Sequence, residues 1–303
     1  MFLVTSLIAG CAMAQQDPMY SMYLFDKMLI NPAFAGSSGW AVGTAKHRDQ
    51  YVGLSGRPVT QTFNFHAPIQ KKNIGIGFKV VNDNLGILSD QNVALDLSYH
   101  LSFAGGKLSF GIEGGMFRRT IKYGELVLSS KADKAIPATT ESSMVPDASA
   151  GLYYQKKQFY FGVSRYHLLN QPFSQTVNTG SSSRLYAHNY FLMGTVFDLG
   201  RLWQMEPSVF VKYQDAGIVQ ADVNMMFYFD ERVGAGVQYR TGDAVVGMLR
   251  ILITEGLRIA YSYDMTMSPL SGYGKASHEI ILSYGIKLLP PPQQKEIHPR
   301  YYF

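Results

Sequence analysis

The sequence predicts an all-β fold, a transmembrane antiparallel β-barrel of fourteen strands. Three observations predict it. First, Trp203, Met205, Pro207, Val209, Val211 and Tyr213 alternate with Gln204, Glu206, Ser208 and Lys212, and Val219 to Phe229 alternates in the same way with Gln220, Asp222, Asn224 and Tyr228. A period of two puts one set on each face of a strand, and strands of about ten residues are the length that crosses a bilayer as a barrel. Second, hydrophobic residues make up 47% of the 303-residue chain and charged ones only 16%, yet no apolar run approaches the roughly 18 residues of a membrane helix. Third, the connections sort by length, long after most odd strands and short after even ones, as in barrels with short turns at one end and long loops at the other.

The first element is an export signal over residues 1–14. Phe2 to Ala9 is a short apolar core, and Ala12-Met13-Ala14 offers a small-x-small cleavage site before Gln15, although no Lys or Arg precedes the core. Ile8-Ala9-Gly10-Cys11 also resembles a lipoprotein box. Cleavage after Ala14 removes Cys11, the single cysteine; lipidation instead makes Cys11 an anchor. Either fate implies export without structural disulfides. Residues 15–39 then form a segment rich in Met, Tyr and Phe, with a turn at Asn31-Pro32, that leads into the barrel.

The barrel is expected over residues 40–288. Its strands fall near 40–48, 60–66, 74–82, 92–103, 107–117, 147–155, 158–165, 187–198, 203–213, 217–229, 232–240, 244–253, 257–264 and 277–288. Long connections are expected at 49–59, 83–91, 118–146, 166–186 and 265–276, with an intermediate one at 67–73. The outward sets include Ile74, Ile76, Phe78 and Val80; Val93, Leu95, Leu97, Tyr99 and Leu101; Leu108, Phe110 and Ile112; Leu257, Ile259, Tyr261 and Tyr263; and Ile280, Leu282, Tyr284 and Ile286. Opposite them stand Lys79, Asp96, His100, Glu113, Glu206, Lys212, Asp222, Arg250, Arg258, Asp264, Glu279 and Lys287. Mixed signs imply a paired, wet or plugged interior. The glycines within strands, Gly75, Gly77, Gly111, Gly114 and Gly115, point to close packing or bulges. Residues 289–303, opening on Pro290-Pro291-Pro292, cannot extend a ladder and form a periplasmic tail.

Enzymatic and nucleic-acid chemistry finds no support. The seven histidines are dispersed without metal-ligand spacing, so no metal or cofactor is expected. Gly53-Leu54-Ser55-Gly56 lacks the glycine two residues beyond serine that a nucleophile elbow needs, because position 57 is Arg. His47, His66, His100 and Asp264 have no catalytic spacing. The net charge of +5 is scattered, with Lys pairs only in turns, and forms no nucleic-acid patch.

The N-terminal third carries a family resemblance. Gln15-Gln16-Asp17-Pro18 is followed by Tyr20 and Tyr23, then Asn31-Pro32-Ala33-Phe34-Ala35-Gly36-Ser37. After the first strand come Arg48-Asp49-Gln50-Tyr51-Val52-Gly53-Leu54, Gly56-Arg57-Pro58-Val59-Thr60-Gln61 and His66-Ala67-Pro68. This order and spacing resembles the PorP/SprF family of Bacteroidetes outer-membrane proteins, with Tyr51 standing where Trp is frequent. The resemblance implies a non-enzymatic outer-membrane barrel of the type IX secretion and gliding machinery. It implies three kinds of partner: outer-membrane lipid, a large secreted surface adhesin, and periplasmic secretion components. Loops would face the cell surface and both termini the periplasm. Residues marked as partner-binding or as holding the first loop and N-terminal segment are Arg48, Gln50, Tyr51, Gln61, His66, Pro291, Arg300, Tyr301 and Phe303. The alternative from another class is a porin or transporter for small or hydrophobic solutes.

Overall fold

The computed structural model describes residues 17–69, 72–125, 139–173, 184–215, 217–272, 274 and 276–288. Cys11, the export signal and the tail with Pro291, Arg300, Tyr301 and Phe303 lie outside the described residues. Fourteen strands follow one another: β1 (Trp40–Asp49), β2 (Val59–Ile69), β3 (Ile74–Leu85), β4 (Leu88–Phe103), β5 (Gly106–Lys122), β6 (Thr140–Lys156) and β7 (Phe159–Tyr166). They continue with β8 (His188–Thr195, resuming at Phe197–Asp198 after Val196), β9 (Trp203–Gln214), β10 (Val219–Phe229), β11 (Val233–Arg240), β12 (Ala244–Leu252), β13 (Leu257–Thr266) and β14 (Ala276–Lys287). Each pairs antiparallel with the next, and β14 pairs with β1 from Trp40↔Lys287 to Asp49↔His278, which closes the barrel. Closure leaves no strand edge, the condition for a sheet in hydrocarbon.

Alternation sets the two faces. Val93, Leu95, Leu97, Tyr99, Ile112, Ile280, Leu282, Tyr284 and Ile286 are exposed on the outer wall, while Lys79, Asp96, Glu113, Glu206, Asp222, Asp264 and Glu279 are buried inside. Lys287 departs from that inward set: it lies at the exposed rim, its ammonium 5.9 Å from the Trp40 ring.

Strands outrun their hydrophobic pattern. The expected long loop at 83–91 is instead a hairpin with a two-residue connection, Gly86-Ile87, and pairing runs on to Leu85↔Leu88. Likewise β5 reaches Lys122 and β6 begins at Thr140, which shortens the expected 118–146 loop. Beyond the apolar band both faces of a strand are polar, so period-two hydrophobicity vanishes although the ladder continues.

The core is filled by the chain's own N-terminal segment. Residues 21–38 are buried within the barrel, including Met22, Tyr23, Met28, Ala33 and Ala35 at 0% exposure. Asp17 lies beside His167, just past β7 at the long-loop end, whereas Gly39 accepts a bond from Leu288 at the short-turn end. The segment therefore runs the length of the lumen. The first and last described residues, Asp17 and Leu288, thus lie at opposite ends of the barrel, while the termini themselves lie outside the described residues.

The outer face fixes what hydrocarbon would tolerate. Leu95, 65% exposed at mid-strand, is expected on substitution by Arg to lose about 2–4 kcal/mol of barrel stability, read by denaturant unfolding in lipid vesicles.

Candidate functional site

The lumen filled by residues 21–38 is the site that sets this protein apart from an empty barrel. A chain crossing a closed barrel must satisfy its own backbone, since little water is there to do so. Residues 23–34 do this with three 3-10 turns, Tyr23–Phe25, Lys27–Leu29 and Pro32–Phe34. Asp26 N–H donates to the Tyr23 carbonyl at 3.2 Å, and Ile30 N–H to the Lys27 carbonyl at 3.2 Å. Asn31 caps the third turn by accepting from Ala33 N–H at 3.0 Å, with Pro32 at its first position, where a missing N–H costs nothing.

The wall offers this strap a track of small residues. Gly75, Ser98, Gly111, Gly151 and Ser164 stand directly opposite one another across β3 to β7. A Cβ on Gly111 would meet Ala33 N at 2.2 Å, one on Gly75 would meet the Ala35 carbonyl oxygen at 2.0 Å, and one on Gly151 would meet Asn31 Oδ1 at 2.2 Å. Backbone thus lies on backbone. Side chains lock it: Asn31 Nδ2 donates to the Leu152 and Val163 carbonyls at 2.8 and 3.2 Å, Ser98 Oγ to the Ala35 carbonyl at 2.6 Å, and Ser164 Oγ to the Ile30 carbonyl. Gly36 closes the strap at φ +66°, where a side chain would be strained and would press on Gly75.

Charges hold the upstream part. Ser21 sits between two buried arginines: Arg48 Nη1 and Arg240 Nη2 each donate to Ser21 Oγ at 3.0 Å, and Ser21 Oγ donates to Asp264 at 2.6 Å. Arg48 also pairs with Asp264 at 2.7 Å and Glu279 at 2.9 Å, and Arg240 with Asp222 at 3.2 Å. Ser21 N–H donates to Glu279 at 2.8 Å, and Lys46 pairs with Glu279 at 3.3 Å. Removing one member of such a network strands the rest, which is why it specifies one position for the segment. Deeper in, Glu206 accepts from the Tyr160 and Tyr228 hydroxyls at 2.7 and 2.6 Å, and Lys27 Nζ lies 4.1 Å from the Tyr160 ring. The gap beside Pro18, Tyr20, Tyr23, Asp222 and Arg240 is about 20 Å³, room for about one water.

At the long-loop end Asp17 meets two histidines. His167 Nε2 lies 2.7 Å from Asp17 Oδ1, its Nδ1 lies 2.7 Å from Asp147, and Tyr190 O–H donates to Asp17 Oδ2 at 2.7 Å. Burial alone would lower the His167 imidazole, but Asp17 and Asp147 on either side push it up to about 10. Burial would raise the Asp17 carboxyl, and the two histidines more than offset that, holding it below the ordinary carboxylate range.

The residues singled out in the sequence divide. Arg48 is a hub of the ion-pair network. His66 Nδ1 accepts from Gly36 N–H at 3.2 Å and its ring meets Phe34 edge-on, so it steadies the strap. Gln50 is buried and its N–H donates to the Pro58 carbonyl at 3.0 Å. Tyr51, at φ +50°, donates its N–H to Ser277 Oγ and its hydroxyl to Asp243 at 3.3 Å. These bonds fold the first loop over the barrel end. Burial and the Asp243 carboxylate push the Tyr51 phenol up to about 12. Gln61 does not join them: it is exposed on the outer face, between inward Thr60 and Thr62. An odd spacing from His66 already puts it on the opposite side of β2. The small-residue track and the Asp17–His167–His188 cluster went unread, because each is assembled from distant segments.

The track is testable through its glycines. Gly111→Val should push Ala33 off the wall, lower stability by about 1–3 kcal/mol and expose the N-terminal segment to protease. Gly114→Ala, on the outer face with nothing within 4 Å of a Cβ, should do neither.

The chain matches the family described as type IX secretion system membrane protein PorP/SprF over residues 12–284. None of the curated proteins compared matches it by sequence. Among solved structures it is similar to the Ralstonia pickettii toluene transporter TbuX, at 10% identity and a TM-score of 0.53, covering 85% of this chain and 92% of that one. A FadL homologue of Pseudomonas aeruginosa is similar at 11% identity and a TM-score of 0.49, covering 90% of this chain and 95% of that one. The likeness to TbuX is one of fold. With the family matched over nearly its whole length and an outer-membrane barrel closed around its own N-terminal segment, this chain belongs to the PorP/SprF family of type IX secretion system membrane proteins.

Proposed function

We propose that this protein is a sealed, non-enzymatic barrel that supports export and surface display of a large secreted adhesin, or couples the surface to periplasmic type IX components. One observation carries the reading: residues 21–38 fill the lumen, with Arg48, Arg240, Asp264 and Glu279 paired around them. A barrel without a solute route is useful through its surfaces. The long connections at 123–139 and 167–187 would face the cell surface and bind the secreted partner. The tail at 289–303, with Pro291, Arg300, Tyr301 and Phe303, would engage a periplasmic component, and Gln61 would be free for an outward contact.

A transporter is the competing reading, favoured by the fold likeness to TbuX, and conductance separates the two. In a planar bilayer the intact protein should be silent, and a variant lacking residues 17–38 should conduct. An open pore in the intact protein would overturn the sealed-scaffold reading.

Partner binding is read by pulling the protein from outer membranes in mild detergent and identifying its companions by mass spectrometry. A very large surface protein or secretion components should accompany it. Deleting residues 290–303 should leave a folded barrel and abolish adhesin display; normal display would remove the tail from the proposal.

A further inference from the structure

We propose that Asp17, His167 and His188 form a transition-metal site, best suited to Zn²⁺, that clips the start of the N-terminal segment to the ends of β7 and β8. One ligand atom from each residue lies within 4.8 Å of the others. Two imidazoles and a carboxylate are a donor set zinc takes, with the fourth position left to water.

The surroundings are those of a metal site rather than of an ion pair alone. His167 turns Nδ1 to the Asp147 carboxylate at 2.7 Å, which leaves Nε2 facing Asp17. A carboxylate behind a ligating histidine fixes its tautomer and raises its basicity. His188 is fully buried, and its Nδ1 lies 3.1 Å from the Tyr186 carbonyl and 3.5 Å from Asp17. That Nδ1 is the ring nitrogen that approaches Asp17, and the buried Nε2 is left without a hydrogen bond. An ion pair between His167 and its two carboxylates accounts for three of these groups. It gives no reason for a second histidine buried beside them with an unsatisfied nitrogen. The Tyr190 hydroxyl, 2.7 Å from Asp17 Oδ2, orients the carboxylate, and Phe117 stands edge-on to His167 at 5.8 Å.

The test uses the full-length protein in detergent, stripped with a chelator and titrated with Zn²⁺ against a chromophoric competitor, with metal content measured after dialysis. One Zn²⁺ per chain is expected, together with the visible bands of tetrahedral cobalt when Co²⁺ is supplied. His188→Gln and Asp17→Asn should each weaken binding at least tenfold while the folded barrel keeps its heat-modifiable migration in gels. Asp17→Asn decides the matter if His188→Gln fails to fold, because Asp17 lies outside the strands. Absence of stoichiometric Zn²⁺ in the wild type, or equal binding by wild type and Asp17→Asn, would overturn the site.

Discussion

A barrel of fourteen strands encloses more space than its own inward side chains fill, and everything inside this one follows from that constraint. Eight strands leave an interior that side chains alone can pack, and sixteen leave an aqueous channel. Here the deficit is met by chain: the segment upstream of β1 supplies both apolar bulk, in Met22, Tyr23, Met28 and Phe34, and hydrogen-bonding groups for inward charges, at Ser21 and Asp26. Neither half suffices by itself. Bulk alone would leave Glu279 and Asp264 facing hydrocarbon, and charges alone would leave a wet pore.

The track and the ion-pair hub divide the work of holding that segment. Over Gly75, Ser98, Gly111, Gly151 and Ser164 the contact is close and backbone-mediated, so its selectivity is steric. At Ser21 it is electrostatic, with Arg240 of β11 and Arg48 of β1 converging from strands separated by β12 to β14. An apolar groove of about 840 Å³ on the outer wall, lined in part by Leu97, Tyr99, Phe110 and Phe191, lies over Ser98, Gly111, Gly151 and Ser164.

Fold class, strand count and the faces of most residues were legible because each is a local property, carried by period-two alternation within a window. Strand ends were not, since at 83–91 the ladder outlasts its hydrophobic signal. The strap was visible only as an aromatic, Met-rich stretch, because its 3-10 turns have no periodicity and its seat is a register relation among five strands. The in-strand glycines point to close packing, but nothing in their positions names the partner. Arg48 and His66 could be placed inside from the parity of their strands, and the same parity excludes Gln61. The histidines looked dispersed because sequence spacing says nothing about which loop ends meet across a barrel mouth.

The seam between β14 and β1 has a consequence for assembly. Arg48 and Glu279 are direct partners across that seam, and both also grip Ser21. The final pairing that converts an open sheet into a cylinder is therefore made by the same side chains that seat the internal segment. A closed cylinder offers no lateral gap through which such a segment could later be packed against Gly111 and Gly151. Insertion and closure are in this sense one event: the growing sheet must curl around a chain already lying against it. A defect in the N-terminal segment would then slow barrel assembly in the membrane as well as unplug the barrels that do form.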